Sequence, residues 1–353
     1  MTNNTIYIHI GTHKTGTSAI QRFLALNKEI LERRGFLFPQ QSRRAYYRHT
    51  DNGCFIAHAN HRSFQKLARL SHAKEKNIIL SSETFSLLEN VSELKPLLAD
   101  CPVKIICYLR RQDNYIQSMY NQSVKGGGFY QDIEAYHSDN LDYYEMLENW
   151  SEVFGKNNII ARVYEKEQLV NQDLIDDFLH TLGLALTEEY RIPAKNPNPR
   201  LSPMVLEYMR CINCFIQDKK AARKFKDAVL CFSDQKYKDA TSPVFFDQSL
   251  LTESQRQSII DTYHQSNALV AKEYLGREDG PLFYEDLPAA DAQRRLQDVI
   301  LTDELFLEMT RYLCGSRAHK KTLFKSIKRD VSQCDTFTKI AYERFLIALR
   351  QKL

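Results

Sequence analysis

No apolar run in this chain approaches the ~20 residues that a membrane-spanning helix needs, and no leader-like segment precedes the first apolar stretch at Ile6. Charge of one sign is also scarce. Forty-eight Lys and Arg stand against 44 Asp and Glu, a net charge of +4, which implies no broad nucleic-acid-binding surface. Internal repeats and low-complexity segments do not stand out. The eight cysteines are scattered (Cys54, Cys101, Cys107, Cys211, Cys214, Cys231, Cys314 and Cys334), and only Cys211 and Cys214 form a C-x-x-C. No second pair completes a zinc site, and the motif falls in an apolar helical stretch, VLEYMRCINCF, so it reads as a coincidence of helix face. A reduced, cytoplasmic protein is the expectation. What is present is ordinary for a globular chain: 43% hydrophobic and 26% charged over 353 residues. That is room for one large α/β domain and an appendage, at roughly 150 residues per domain.

The most informative stretch is TIYIHIGTHKTGTSAIQRFLALNKEILERRG, residues 5–35. Ile6, Ile8 and Ile10 make a short apolar strand, and Gly11 to Thr17 make a turn rich in glycine and threonine. Ile20, Phe23, Leu24, Ile30 and Leu31 then repeat at helical spacing up to Gly35, a C-cap by position. A loop that leaves a strand and opens a helix presents backbone N–H groups and the positive end of the helix dipole to an anion. In a nucleotide-hydrolysing P-loop, G-x-x-x-x-G-K-[ST], lysine directly follows the second glycine. Here Gly11 and Gly16 keep that spacing, but Thr17 and Ser18 follow and the lysine is Lys14, inside the loop.

With the lysine two residues before a Gly-Thr-Ser, HIGTHKTGTSAIQRFL resembles the bacterial branch of the sulfotransferases that use 3′-phosphoadenosine 5′-phosphosulfate (PAPS). The resemblance extends over roughly residues 5–280, through YYEMLENWSEVFGKNNIIARVYEKEQL, LIDDFLHTLGL, NPNPRLSP and HQSNALVAKEYLG, but only two anion anchors in it are specific. The first is the loop, which implies cofactor contacts from Thr12, His13, Lys14, Thr15, Gly16, Thr17 and Ser18. The second lies in LRRQDNYIQSMYNQ. The family holds the 3′-phosphate with an arginine at a strand end and a serine eight residues later, and Arg110 and Ser118 have that separation. Arg111 competes with Arg110 for the role. Arginine offers phosphate a bidentate fork, and serine adds a directional donor. A family loop that closes over the cofactor is not clear here, with Arg200 and Ser202 as the only suggestions.

Further short Ile/Val-rich strands are expected at Asn77–Ser82, Val103–Leu109 and Asn158–Tyr164, separated by helical patterning at Tyr115–Val124 and Leu141–Phe154, with Ile175–Leu182 after the last. Such spacing predicts an α/β fold with three layers, P-loop-like, around a central parallel sheet. A mostly helical C-terminal part follows, with one long helix over Thr252–Leu275. The expected divisions are a 1–195 core, a 196–288 helical continuation and a 289–353 basic helical extension. In the last of these, Gly315–Leu353 carries ten Lys or Arg against three Asp or Glu. Its apolar stripe, Tyr342, Phe345, Leu346 and Leu349, reads first as a helix packed on its own domain and second as a peripheral contact with anionic lipid or a partner protein.

The resemblance implies transfer of a sulfuryl group from PAPS to a hydroxyl or amine, on a bacterial glycan or glycolipid precursor, leaving 3′,5′-adenosine bisphosphate and using no metal or nucleic-acid partner. Lys14 is expected to stabilise the leaving phosphate. Glu83, at the tip of the second expected strand, is the favoured base, where α/β sites form. The alternatives are a first-turn acid beside a Ser81 or Ser82 cap, with His13 as base. The insertion at 41–66, rich in Arg, His and Tyr, would suit a sugar or remain a solvated loop. Lys125 with Gly126–Gly128 reads as a hinge rather than a lid. Two other classes compete: a P-loop kinase or NTPase, against which the displaced lysine argues, and a silent nucleotide-binding module.

Overall fold

The computed structural model describes residues 4–39, 76–98, 101–126, 128–138, 141–193, 203–216, 226–232, 250–278, 280–287, 308–310, 312 and 336–350. The insertion at 41–66, Arg200, Ser202 and most of the basic C-terminal segment lie outside them. The chain forms two compact units, each built from separated stretches. The first takes Met1–Tyr115, Asp139–Pro197 and Ile259–Asp286; the second takes Ile116–Ser138, Asn198–Ser258 and Leu287–Leu353.

The first unit holds a five-stranded parallel sheet in the order β2-β3-β1-β4-β5. Its strands are β1 (Ile6–His9), β2 (Phe36–Leu37), β3 (Asn77–Ser81), β4 (Val103–Leu109) and β5 (Ile159–Val163). Ile8 pairs with Leu80 on one side and Ile105 on the other, which puts β1 at the centre. Because side chains alternate along a strand, Ile6, Ile8 and Ile10 face one layer and Tyr7 and His9 the other. The first layer is α4 (Tyr143–Phe154) and α8 (His264–Leu275), with Tyr143, Leu147, Trp150, Val270 and Ala271 buried against the sheet. The second is α1 (Thr17–Leu26), α2 (Lys28–Arg33) and α5 (Leu174–Thr181), supplying Ile20, Phe23, Leu24, Leu31, Phe178 and Leu179. This is the three-layer α/β arrangement that the strand spacing predicts.

Two expected helices are each broken, and one strand is new. The first helix divides at Asn27, whose amide donates to Phe23 O at 2.9 Å and Arg191 O at 2.8 Å and accepts from Arg191 N–H at 2.7 Å. An Asn that bonds backbone in this way competes with helix continuation. The helix expected at Thr252–Leu275 is α7 (Glu253–Thr262) and α8, divided at Tyr263. Strand β2 is only two residues long, too short to show a period.

The second unit includes α6 (Pro203–Phe215), part of α3 (Gln112–Gly126) and α9 (Thr336–Arg350). Within α6 the Arg210 guanidinium is buried against Glu207, 2.9 Å from Oε2 and 2.6 Å from Oε1. Helix α9 packs on α6 and buries Ala341, Tyr342 and Phe345, while Ile340 and Ile347 are exposed. Cys211 and Cys214 do not pair with each other. The Cys211 thiol faces Glu207, whereas Cys214 is disulfide-bonded, a departure from the reduced chain expected. No described helix is long and apolar enough to cross a membrane.

Candidate functional site

The loop between β1 and α1 is folded by its own hydroxyls. Thr12 Oγ1 donates to Tyr108 O on β4 at 2.9 Å, and Thr15 Oγ1 donates to Thr12 O at 2.7 Å. Thr12, Thr15 and Thr17 are all buried, so a ligand would meet the backbone, the half-buried His13, Lys14 and Gly16, and the exposed Ser18. Gly16 is the N-cap of α1 at φ 81, a left-handed conformation that disfavours other residues. A Cβ there would lie 2.2 Å from Leu174 Cδ2 and 3.2 Å from the Tyr164 ring, so a larger residue would also have to displace the end of the Leu174 side chain. No side chain caps α1 and its first turn holds no acid, which leaves the positive helix end open toward an anion.

Lys14 is one of three non-glycine residues at positive φ among the described residues, at φ 65. Its carbonyl accepts from Arg110 Nη1 at 2.9 Å, and the same guanidinium stands over the Tyr164 ring at 5.9 Å. The two neighbouring arginines therefore have different surroundings. Arg111 is 5% exposed and spans Asp113 with two bonds, at 2.8 and 3.1 Å, while its third nitrogen donates to the carbonyls of Glu285 and Asp286. Arg110 is the one aimed at the loop. Ser118 is a buried residue of α3, in the second unit. Lys125 is also buried, at the end of α3, and Gly128 has φ 129.

Glu83 and His13 come together across 70 residues of sequence. His13 Nδ1 lies 2.7 Å from Glu83 Oε2, with the two side chains 26% and 32% exposed. Ser82 caps the short helix Glu83–Leu87 by accepting from Thr84 N–H at 3.1 Å. Glu83 is thus both a first-turn acid and the partner of His13. With the carboxylate ionised, Nδ1–H is the donor of this bond, which leaves Nε2 of the neutral ring as an acceptor.

Three features of this site had weak or no sequence signals. His9, the polar residue in an otherwise apolar strand, lies fully buried beneath the loop. Its Nδ1 is 2.8 Å from Ser81 Oγ, which Gln21 Nε2 also contacts at 3.2 Å, and its Nε2 has no hydrogen-bond partner. The Tyr108 and Phe178 rings stand edge-on to it at 5.9 and 5.4 Å. Gly11 covers Nε2 closely: a Cβ on Gly11 would come 3.1 Å from it and 2.7 Å from Thr17 Oγ1. The other two features are Tyr164, beneath Arg110, and the segment around Glu285 that covers Arg111.

Burial pushes the His9 pKa down to about 4, against a smaller upward pull from the Glu83 carboxylate. Unfolded histidine titrates near 6.5, so between these values the unfolded chain binds more protons than the folded one. His9 therefore costs no stability above about pH 6.5 and about 3 kcal/mol once pH has fallen through 4. In urea titrations from pH 7 to pH 4, wild type is expected to lose that much stability relative to His9→Asn. A difference between the two proteins that does not change with pH would contradict the neutral, buried ring.

No protein-family model matches the chain. A protein of Archaeoglobus fulgidus described as an uncharacterized protein is 32% identical to it over 207 residues. The match takes in 57% of this chain and 55% of that protein, so the chain spans about half the length of the relative it matches.

Proposed function

We propose that this chain is a PAPS-dependent sulfotransferase acting on a hydroxyl or amine of a glycan or glycolipid precursor. The observation that carries the reading is the uncapped start of α1 under a loop that holds Lys14, with Arg110 reaching that loop from the end of β4. The bound donor supplies an activated sulfuryl group on a phosphate leaving group. Lys14 and the N–H groups near Thr15–Ser18 are suited to that phosphate, since the Thr12 and Thr15 hydroxyls are taken by main-chain carbonyls.

The work of these residues is positional and electrostatic, as in phosphoryl transfer. Lys14 meets the charge that grows on the leaving oxygen as the bond between sulfur and phosphate oxygen breaks. The acceptor oxygen or nitrogen forms the new bond to sulfur, and its proton passes to the His13–Glu83 pair. Arg110 anchors the 3′-phosphate in preference to Arg111, whose guanidinium is already taken by Asp113 and two carbonyls.

The test is calorimetric binding of 3′,5′-adenosine bisphosphate, with ATP–Mg²⁺ alongside, on wild type and Arg110→Ala. The bisphosphate is expected to bind and to raise thermal stability by mass action, and the variant to lose most of the effect. A response to ATP–Mg²⁺ alone would move the chain to the kinase class. Binding of the bisphosphate without transfer to any acceptor would make it a silent module.

A further inference from the structure

A carboxylate is held beside the Arg110 anchor by the strap that follows α8. Gly276, at φ 66, ends that helix, and the chain then runs irregularly to Asp286. Arg277 ties the strap down, donating to Gln168 Oε1 at 2.6 Å and to Leu282 O at 3.2 Å, with its guanidinium 4.8 Å over the Tyr284 ring. Gln168 Nε2 returns a bond to Leu282 O at 3.1 Å. Farther on, the Tyr284 and Glu285 N–H groups donate to the two oxygens of Glu165 at 2.7 and 3.3 Å, and Arg111 donates to the carbonyls of Glu285 and Asp286. These bonds fix the end of the strap through its backbone. The Glu285 side chain is not needed for them.

That side chain points instead at the start of α3, where its Oε2 accepts from Asn114 Nδ2 at 3.2 Å, four residues beyond Arg110. Burial and the adjacent Glu165 carboxylate hold its pKa above the usual range, while Arg111 and Arg110 pull it back down. Both arginines are therefore within electrostatic reach of it. The charged groups around it are Arg277 and Asp286 on the strap, Glu165, Lys166 and Glu167 after β5, and Arg110, Arg111 and Asp113 at the end of β4 and start of α3.

We infer that Glu285 is a built-in competitor for the anion drawn to Arg110, so that its charge sets how tightly this anchor holds a phosphate. The inference rests on Arg110 being the phosphate anchor. A carboxylate in this position repels an incoming phosphate and partly satisfies the arginines in its absence. The anchor then binds a phosphate less tightly than Arg110 alone would, and it tightens as the carboxyl takes up a proton.

The experiment is calorimetric titration of the full chain with 3′,5′-adenosine bisphosphate, comparing wild type, Glu285→Gln, Glu285→Asp and Arg110→Ala. At pH 7.5 and moderate salt, Glu285→Gln is expected to bind about fivefold more tightly, the size of one unit charge acting across several ångströms of partly wet protein. Glutamine keeps an oxygen for Asn114, and Glu285→Asp, which keeps the charge, is expected to stay near wild type. At pH 5.5 the advantage of Glu285→Gln should shrink. Comparing two proteins at each pH cancels the ionisation of the ligand's own phosphates. Equal or weaker binding by Glu285→Gln, with binding still lost in Arg110→Ala, would overturn the inference and leave Arg110 as anchor. Binding that Arg110→Ala does not weaken would overturn both.

Discussion

Glu83→Gln is expected to lower sulfuryl transfer by about 10²- to 10⁴-fold, the usual worth of a placed general base, while bisphosphate binding is unchanged. The reason lies in the 2.7 Å contact between His13 Nδ1 and Glu83 Oε2. A glutamine oxygen can still accept from Nδ1–H, so the ring keeps its place, but the amide cannot take a proton or stabilise an imidazolium. The local fold does not depend on the carboxylate, since Ser82 caps the following turn through its own hydroxyl. His13→Asn separates the two roles. If histidine receives the proton and glutamate orients it, both variants fail alike; if Glu83 is the base, His13→Asn keeps substantial turnover. Near-normal transfer by Glu83→Gln would remove the pair from the mechanism.

Lys14→Ala is expected to cost at least about 10²-fold in turnover, as the loss of one oxyanion donor does elsewhere. Arg110 grips the Lys14 carbonyl, so the loop keeps that bond in the variant. Lysine and alanine both have a Cβ and share the strain at φ 65, so thermal stability should hardly change. Lys14→Arg keeps the charge in a different shape and should recover only part of the rate. Turnover within a few-fold of wild type in Lys14→Ala, at unchanged melting temperature, would show that the leaving phosphate is met by some other group.

Much of this architecture was legible in the chain because it is local. Strands β1, β3, β4 and β5 announce themselves as short Ile/Val runs, and Gly11, Lys14 and Gly16 reveal the loop by spacing alone. The resemblance pointed to an arginine at the end of β4. What escaped is set by partners far away in sequence. The break at Asn27 depends on Arg191, the buried ring of His9 on Ser81, and the placement of Glu285 on Glu165 and Arg111. The resemblance named Glu83 and His13 separately, as rivals; only the fold makes them neighbours. Whether Arg110 or Arg111 faces the loop was likewise undecidable from a dipeptide, because the answer lies in Asp113 and in two carbonyls more than 170 residues on.

The return of α8 to the sheet has a consequence for how the chain is made. Its buried Val270 and Ala271 complete the layer beside α4 and over β5, and Asn267 exchanges amide bonds with Gln112 at 2.8 and 3.1 Å. All five strands have been synthesised by residue 163, roughly a hundred residues before that cover is made. During that interval α4 covers this side of the sheet without α8, and Gln112 keeps its bond to Leu141 O but lacks the one to Asn267. The nascent chain is therefore most in need of a chaperone, and most open to association with its own copies, while the middle of the protein is being translated.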